Sequence, residues 1–273
     1  MVNVIKANGI PEEYREEKVI SSIKRAGVPE SIYPDVLKHV NSKIYDNIPT
    51  NEIYGHVAEF LGSSSYPYSK SKYSLKQALM DLGPTGYPFE DFVSEILQSL
   101  GYSTFVRQIL RGKCITHEVD VIAKKNNLSC MVEVKFHNSI GTRSDVHVPM
   151  YTKSRFDDVK GKYNLSEAWV MTNTKATIDA ITYSQCVGMK IVSWSYPEGE
   201  SLRDLIEKAG LHPITMLSTL PENQKMDLLN RHIVRCKVIH ENPDILHTLS
   251  LNGEQRKKVL EEVDFICHGE HQP

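Results

Sequence analysis

Apolar and charged residues alternate in two short runs near the middle of the chain. The first run is EVDVI at residues 118–122, and the second is MVEVKF at residues 131–136. Because successive side chains of a strand point to opposite faces of a sheet, this alternation predicts two strands joined by a polar turn. In the first strand, the pattern places Val119 and Val121 on one face and Asp120 on the other.

The second run puts Val132 and Val134 on one face and Glu133 and Lys135 on the opposite face. If the two strands are neighbours, Asp120 comes close to Glu133, and two carboxylates and an ammonium group meet at one edge of a small sheet. Carboxylate oxygens suit a hard divalent cation such as Mg²⁺. The lysine can then orient a nucleophilic water or stabilise the charge that develops on a phosphate.

Strand and helix patterns also cover the first third of the chain. Short strands at residues 2–7 and 10–14 flank Asn8-Gly9, a pair typical of hairpin turns because both residues tolerate positive φ. Apolar residues then recur at helical spacing, and Thr50 has the character of an N-cap. The predicted helices cover residues 15–26, 34–45, a stretch that begins at Thr50, and about 75–82.

A cluster of Gly and Pro residues at 83–88 separates this part from a strongly amphipathic helix that is predicted to end near Leu100. Glu90 and Asp91 lie in its first turn. They either stabilise the helix dipole or, in the case of Glu90, reach the acidic strand edge. An edge strand at 103–110 is predicted to follow.

The second half of the chain predicts a β-α-β segment. Strands at 167–172 and 190–194 flank a helix at 176–188, so the two strands should be parallel. A preceding helix near 151–159 carries basic residues that either contact phosphate or form a solvated surface; they are Lys153, Arg155 and Lys160. From residue 212 onward the pattern is typical of short helices with tight turns.

Two polar positions near predicted strand ends have less distinctive roles. Thr172-Asn173 either contacts a nucleic-acid backbone or caps the helix that follows, and capping is the preferred interpretation. His117 lies near the acidic residues but on the opposite strand face, so we expect it to support the structure.

Composition narrows the class of protein without naming a function. The chain has 273 residues, a net charge of −2 and five cysteines. An odd number of cysteines without a C-x-x-C pair indicates neither a disulfide framework nor a zinc site. The sequence has no run long enough for a transmembrane helix and no signal-peptide core, so we expect a cytoplasmic protein without a membrane partner. The near-neutral charge does not indicate nucleic-acid binding, although a local basic patch can coexist with it.

Three segments together resemble the Mrr-type restriction-endonuclease-like domain of the PD-(D/E)xK nucleases. They are GYPFEDF at 86–92, HEVD at 117–120 and EVKFH at 133–137. The resemblance implies a Mg²⁺ (or Mn²⁺) site and a set of catalytic residues. The implied catalytic residues are Glu90, Asp120, Glu133 and Lys135, and the implied metal ligands are Asp120, Glu133 and the carbonyl of Val134.

The first 82 residues resemble an ATP-cone, a regulatory module that binds nucleotides. The resemblance rests on VIK at 4–6, Asn8-Gly9 and the EKV and SI segments of the first helix. It implies that ATP or dATP binds as a regulatory ligand at Lys6, Glu12, Lys18, Thr50 and Tyr54. The family usually has Lys-Arg before the turn, whereas this chain has Lys6-Ala7, and loss of the guanidinium weakens phosphate binding. A module used only for packing or oligomerisation is the alternative.

The C-terminal region resembles the small helical modules related to helix-hairpin-helix DNA binders. Asn252-Gly253 followed by Arg256, Lys257 and Lys258 at a helix start carries this resemblance. A plain helical interaction domain explains the same pattern equally well.

Together the patterns predict an α/β (α+β) chain of three units. Residues 1–83 form a β-hairpin plus helical ATP-cone, residues 84–209 a mixed-sheet PD-(D/E)xK endonuclease-like domain, and residues 210–273 a small all-α module. We expect a homo-oligomer, either a dimer or a tetramer, that binds DNA and a nucleoside triphosphate.

The predicted function is a Mg²⁺-dependent DNA endonuclease regulated by ATP or dATP, with restriction of foreign or modified DNA as one role. Two alternatives remain open from the sequence. One is a nucleotide-sensing DNA-binding or scaffold protein with an inactive nuclease fold. The other is a DNA repair or junction nuclease.

Overall fold

The structure, a computed structural model, describes residues 2–6, 9–64, 68–139 and 141–268, without the side chains of Arg25 and His268. Ala7 and Asn8, which belong to the predicted hairpin turn, lie outside the described residues. Gly9 has a φ of 78°, which favours glycine at this position.

A three-stranded sheet and five helices form the N-terminal part. Strand β1 (Asn3–Ile5) pairs antiparallel with β2 (Pro11–Glu13) and parallel with β3 (Ile48–Pro49). The helices are α1 (Glu16–Arg25), α2 (Tyr33–Asn41), α3 (Thr50–Ser63), α4 (Ser69–Tyr73) and α5 (Leu75–Met80), with a 3₁₀ turn at Glu30–Ile32. Sheet and helices enclose a core of aliphatic residues that includes Val4, Ile23, Val36, Ile48 and Leu61.

The prediction that Thr50 caps α3 is wrong. Pro49 occupies the N-cap position with extended dihedrals and makes no side-chain cap hydrogen bond, and Thr50 is the first helical residue. A proline at this position ends β3 and leaves the following residue free to start the helix.

A five-stranded mixed sheet forms the centre of the molecule, in the order β10-β8-β6-β5-β4. Strands β4 (Ser103–Arg111), β5 (Thr116–Lys125) and β6 (Leu128–Lys135) form an antiparallel meander, whereas β6, β8 (Glu167–Thr172) and β10 (Lys190–Val192) are parallel. The predicted edge strand, hairpin and parallel β-α-β segment are therefore confirmed. Two further short strands, β7 (Arg143–Ser144) and β9 (Lys175–Ala176), pair parallel with each other.

Helices cover both faces of this sheet. Helix α6 (Tyr87–Ser99) packs on one face through fully buried Phe89 and Phe92. Helices α7 (His147–Tyr163) and α8 (Ile178–Cys186) pack on the other face, where Phe156 and Ala180 contribute to a second cluster. Helix α9 (Leu202–Ala209) ends this part and adds Leu202 and Ile206 to the α6 side.

The C-terminal part is helical, as predicted. It contains α10 (Glu222–Asn230), α11 (Cys236–Glu241) and α12 (Gly253–His268), with 3₁₀ turns at Ile214–Met216 and Pro243–Thr248. Its apolar residues belong to the same buried cluster as α6, and so do Leu75, Ala78 and Leu79 of α5. The core on this side of the sheet is therefore shared by segments from all three parts of the chain. Within the described residues, no helix is both long and apolar enough to cross a membrane.

The predicted alternation along β5 fails at one point. Val121 packs in the cluster on the α6 side, whereas Val119 packs in the cluster on the α7 side, so the two valines do not share a face. Pairing with β4 is regular from Ser103 onward but skips the position at which Arg107 faces Asp120, and Arg107 has a φ of 51°. This local irregularity reverses the side-chain alternation on either side of Asp120.

Candidate active site

Asp120 and Glu133 lie where two neighbouring strands separate. Within the described residues, β5 and β6 are paired from Lys125 opposite Leu128 as far as Val121 opposite Val132. The next positions are Asp120 and Glu133, and there the backbone amide of Val134 donates a hydrogen bond of 2.7 Å to Asp120 Oδ2. The Asp120 carboxylate thus takes the place of a backbone carbonyl as the acceptor for Val134, and the two strands separate beyond this point.

That space is a polar cavity of about 420 Å³. The structure brings all four predicted catalytic residues to its wall, together with the predicted ligand Val134; they are Glu90, Asp120, Glu133 and Lys135. Helix α6 supplies the first, β5 the second, and β6 the other two. Proximity of Asp120 to Glu133 follows from strand pairing, as the sequence predicted, whereas the approach of Glu90 depends on how α6 crosses the sheet.

Glu133 is held by an arginine from the opposite layer. Arg155 of α7 is buried, donates through Nη1 to Glu133 Oε2 and through Nη2 to the backbone carbonyl of Glu118. Neither alternative from the sequence, a phosphate contact or a solvated surface residue, describes Arg155, because its buried guanidinium binds Glu133 and the Glu118 carbonyl. Lys153 and Lys160, on the same helix, both bind Asp157, at 2.5 Å and 2.7 Å.

Glu90 has a cationic partner that sequence reasoning missed. Arg107 of β4 binds Glu90 Oε2 at 3.2 Å and Asp91 Oδ1 at 2.7 Å. Burial, reinforced by the charge of Asp120, raises the pKa of Glu90 to about 7, although Arg107 opposes this rise. No local motif marks Arg107, and only its register position opposite Asp120 could have suggested its role.

The two strand carboxylates are also hard to ionise. Burial raises the pKa of Asp120, and burial followed by the charge of Asp120 raises the pKa of Glu133. The hydrogen bond from Val134 opposes the shift of Asp120, and Arg155 opposes that of Glu133. Burial is the largest cause of both shifts, and the charge of Asp120 adds to it at Glu133, so the site disfavours two ionised carboxylates side by side.

The donor set suits a hard divalent cation. Carboxylate oxygens of Asp120 and Glu133 and a backbone carbonyl are the ligand types that Mg²⁺ prefers, with water and phosphate completing the shell. A cation would also relieve the repulsion from Asp120 that adds to burial in raising the pKa values of Glu90 and Glu133. Within the described ranges, no three or more His, Cys, Asp and Glu side chains form a group that could hold a metal ion, so the candidate metal site rests on two carboxylates and a backbone carbonyl.

The loop after β6 is anchored by a buried asparagine. Asn173 accepts a hydrogen bond of 2.9 Å from the His137 amide and donates one of 2.7 Å to the His137 carbonyl. The preferred interpretation of Thr172-Asn173 as a helix cap is wrong, because Thr177 caps α8 through a bond from the Ala180 amide. Asn173 instead fixes the loop that forms one side of the cavity.

His117 has the supporting role that the sequence predicted. Its Nε2 lies 2.7 Å from Asp158 Oδ2, and Asp158 also accepts from the amides of Cys114 and Ile115. This cluster joins the β4–β5 turn to α7, away from the acidic cavity.

The five residues predicted to bind nucleotide share a second, smaller cavity of about 270 Å³ in the N-terminal part; they are Lys6, Glu12, Lys18, Thr50 and Tyr54. Lys6 and Lys18 both form ion pairs with Glu12. The ring of Tyr54 stacks on Tyr73 with a centroid distance of 4.7 Å. Two ammonium groups therefore converge on a single carboxylate at this cavity.

The predicted helix start at Asn252-Gly253 is confirmed. Asn252 Oδ1 accepts from the Gln255 amide, and Gln255 Oε1 accepts from the Asn252 amide, both at 2.9 Å. This reciprocal pair caps α12. Lys258 binds Glu254 at 2.8 Å, so its charge is already partly neutralised.

Comparisons with known proteins give two family matches. A model described as restriction endonuclease matches residues 84–202, and one described as AF1548-like, C-terminal, matches residues 212–267. An uncharacterized protein of Archaeoglobus fulgidus is 34% identical over 175 residues, which cover 64% of this chain and 99% of that protein. The crystal structure of the protein of unknown function AF1548 is similar with a TM-score of 0.59 and 32% identity, over 68% of this chain and 100% of the other.

Proposed function

The chain belongs to the family of the Archaeoglobus fulgidus relative, with a restriction endonuclease domain followed by an AF1548-like C-terminal domain, and we propose that it is a Mg²⁺-dependent DNA endonuclease. The observation that supports this proposal most strongly is the cavity that Glu90, Asp120, Glu133 and Lys135 line together. Hydrolysis of a phosphodiester needs neutralisation of phosphate charge and a positioned water, and these side chains are suited to both.

Lys135 and Glu90 would act directly on the reacting groups. Lys135 is exposed at the cavity, so its ammonium group can position a water or stabilise charge on the phosphate. Glu90, with a pKa of about 7, can accept a proton from that water near neutral pH. Arg107 would keep the Glu90 carboxylate oriented.

Asp120, Glu133 and the Val134 carbonyl would hold the Mg²⁺ or Mn²⁺ ion. When bound, the ion would neutralise phosphate charge and lower the pKa of a coordinated water. The contact of Arg155 with Oε2 of Glu133 fixes this carboxylate and leaves its second oxygen for the cation. Arg155 would therefore serve as a positioning residue.

Incubation of the purified protein with plasmid DNA and Mg²⁺ tests this proposal. We expect nicking or linearisation by the wild type and loss of cleavage in both Asp120→Ala and Lys135→Ala. Cleavage that survives equally in both variants would show that another site or a contaminant is responsible. Parallel reactions with linear, branched and modified DNA and with RNA distinguish restriction from repair or junction cleavage.

We also propose that ATP or dATP binds the N-terminal cavity and regulates cleavage or assembly. The support is the convergence of Lys6 and Lys18 on Glu12, since two ammonium groups that share one carboxylate can accept a triphosphate. Calorimetric titration with ATP, dATP and ADP tests this part. The absence of binding heat for all three ligands would leave the module with a packing or oligomerisation role.

A second candidate is a DNA-binding or scaffold protein that does not cleave. The contact between Arg155 and Glu133 favours it, because the guanidinium competes with a cation for that carboxylate. DNA binding without cleavage, across divalent metals and nucleotides, would support this candidate. Light scattering tests the predicted dimer or tetramer, and cytoplasmic location remains a prediction.

A further inference from the structure

A larger cleft, distinct from the smaller N-terminal cavity, lies next to the acidic cavity, between the N-terminal part and the central sheet. Its volume is about 700 Å³, and its walls come from β1, α3 and α5 on one side and from residues 141–143 and Lys175 on the other. Four cationic residues line it; they are Lys6, Lys76, Arg143 and Lys175. The proposed catalytic mechanism does not use Lys76, Arg143 or Lys175.

Two of these cations face each other directly. Arg143 and Lys175 are register partners in the parallel pair of β7 and β9. Like charges at opposed positions of a sheet destabilise it. Burial, followed by the charge of Lys175, also lowers the pKa of Lys76. Lys175 therefore lies opposite Arg143, and its charge also acts on Lys76.

No carboxylate compensates this repulsion within the described residues. The ion pairs there, defined by an N–O distance of up to 4.0 Å, do not include Lys76, Arg143 or Lys175. By contrast, Lys153 and Lys160 on the surface of α7 share Asp157. A cluster of cations without a protein counter-charge, at the wall of a cleft, is suited to an anionic ligand.

The cleft and the acidic cavity are neighbours that share one wall residue. Thr142 lines both, and it lies directly before Arg143 in the chain. An anionic polymer that leaves the acidic cavity past Thr142 would meet the cationic cleft next. Ile5, Tyr54 and Met80 add apolar and aromatic surface to the same cleft, on which a nucleobase could rest.

We propose that Lys76, Arg143 and Lys175 bind phosphate groups of the nucleic-acid strand that enters the acidic cavity, and that this strand continues along the cleft to the N-terminal part. This proposal rests on the proposed nuclease function. A free nucleotide offers the same phosphate chemistry, but the position of Thr142 in the walls of both the acidic cavity and the cleft favours the strand. The N-terminal part would then contribute directly to substrate binding.

The test is the salt dependence of DNA binding by the full-length chain, measured by fluorescence anisotropy with a labelled oligonucleotide in EDTA. EDTA prevents metal-dependent cleavage, so the readout is independent of catalysis. Each lost phosphate contact should lower the log–log salt slope by about one unit. We therefore expect a smaller slope for Lys76→Gln and for Lys175→Gln, and a further loss for the double variant Arg143→Gln/Lys175→Gln.

Lys124→Gln is the matched control. Lys124 is an exposed lysine of β5 near the opposite end of the hairpin, about 13 Å along the strand from Asp120. Its loss removes the same charge and should leave the slope unchanged. Because the double variant removes a like-charge pair, we expect it to unfold at the wild-type temperature or above it. An unfolding temperature in this range shows that weaker binding does not come from misfolding.

The outcomes separate this inference from the nuclease proposal. Slopes that stay at the wild-type value in all cleft variants overturn the inference, even if the wild type cleaves DNA. Cleft variants that lose ATP binding but keep the DNA slope overturn it as well, in favour of a free nucleotide. Reduced slopes support it, even if no cleavage by the wild type is observed with Mg²⁺.

Discussion

Arg155 of α7 and Glu133 of β6 form a buried ion pair, with side-chain exposures of 9% and 15%. The guanidinium also binds the Glu118 carbonyl, so it joins both central strands of the proposed active site to the helix behind them. A charge pair in this position fixes a carboxylate that would otherwise be free to rotate.

Removal of Arg155 should therefore destabilise the protein strongly. Above the Glu133 pKa of about 7, Arg155→Met leaves an ionised Glu133 buried without its cation, and loss of one partner of a buried pair costs about 3–5 kcal/mol. Because a protonated Glu133 needs no partner, the loss should shrink as the pH falls. Urea denaturation of the wild type and the variant measures this difference.

The control for Arg155 is Arg111→Met at an exposed position of β4, which should change the free energy of unfolding by less than about 1 kcal/mol. The double variant Arg155→Met/Glu133→Gln should recover part of the lost stability, since it removes the unpaired charge. Equal losses for both arginines would contradict a special role for this ion pair.

The raised pKa of Glu90 predicts a pH dependence of stability. The folded state holds the proton of Glu90 more tightly than the unfolded state, with a pKa of about 7 against an ordinary value of 4.5. Protonated Glu90 therefore contributes to the free energy of unfolding. This contribution is complete below about pH 4.5 and is lost as the pH rises through about 7. Glu90→Gln cannot ionise, so this variant should gain stability relative to the wild type between about pH 5 and about pH 8.

Denaturation in EDTA at both pH values measures this effect of Glu90. Mg²⁺ should reduce the wild-type loss at high pH if the ion neutralises the carboxylate cluster. Glu95→Gln, five residues further along α6 and paired with Arg235, serves as the control for removal of a paired carboxylate outside the acidic cavity. A constant difference between wild type and Glu90→Gln across this range would show that Glu90 does not titrate there.

The N-terminal cavity predicts a direct effect of Lys18 on nucleotide affinity. Charge-assisted contacts contribute about 1.5–3 kcal/mol, so Lys18→Gln should weaken ATP binding about tenfold or more. Lys24→Gln in the same helix is the control, because Lys24 is exposed and pairs with Glu30 outside the cavity. Isothermal titration calorimetry gives both values, and equal affinities for the two variants would exclude this cavity as the site.

A buried carboxylate joins the N-terminal and C-terminal parts. Glu262 of α12 is fully buried and accepts hydrogen bonds from Ser71 of α4 and from the amides and hydroxyls of Ser218 and Thr219. Glu262→Gln replaces one acceptor oxygen by a donor that faces other donors. A buried unsatisfied group costs about 1–3 kcal/mol, so we expect a loss of this size in urea denaturation.

Glu261→Gln is the matched control for Glu262, since its neighbour Glu261 is exposed and should tolerate the change. If both variants unfold at the same urea concentration, the hydrogen-bond cluster around Glu262 contributes nothing to stability.

Local patterns predicted most of the strands and helices and the approach of Asp120 to Glu133. Strand alternation and the short turn bring Asp120 to Glu133, because neighbouring strands of a hairpin must align their residues. The helical periodicity of α6 and the pattern of the β-α-β segment were also sufficient to predict their structure. These features depend on residues that are close in sequence.

The missing parts of the prediction depend on long-range packing. Arg107 and Arg155 reach the carboxylates from another strand and from the opposite layer, and their basic side chains resemble any surface residue in the sequence. The positive φ of Arg107 and the reversed alternation at Val119 arise from the interrupted ladder. Asn173 and Glu262 bind groups that are far away in the sequence, so no local pattern indicates their structural roles.

The most direct test of the account is the single-turnover rate of DNA cleavage with Mg²⁺ for Glu133→Gln and Glu118→Gln. Both variants remove one carboxylate from the same hairpin, but only Glu133 lines the acidic cavity, and Glu118 holds Arg155 through its backbone. We predict that Glu133→Gln slows cleavage by about 10²-fold or more, whereas Glu118→Gln stays close to the wild type. Equal rates for the two variants would contradict the proposed active site.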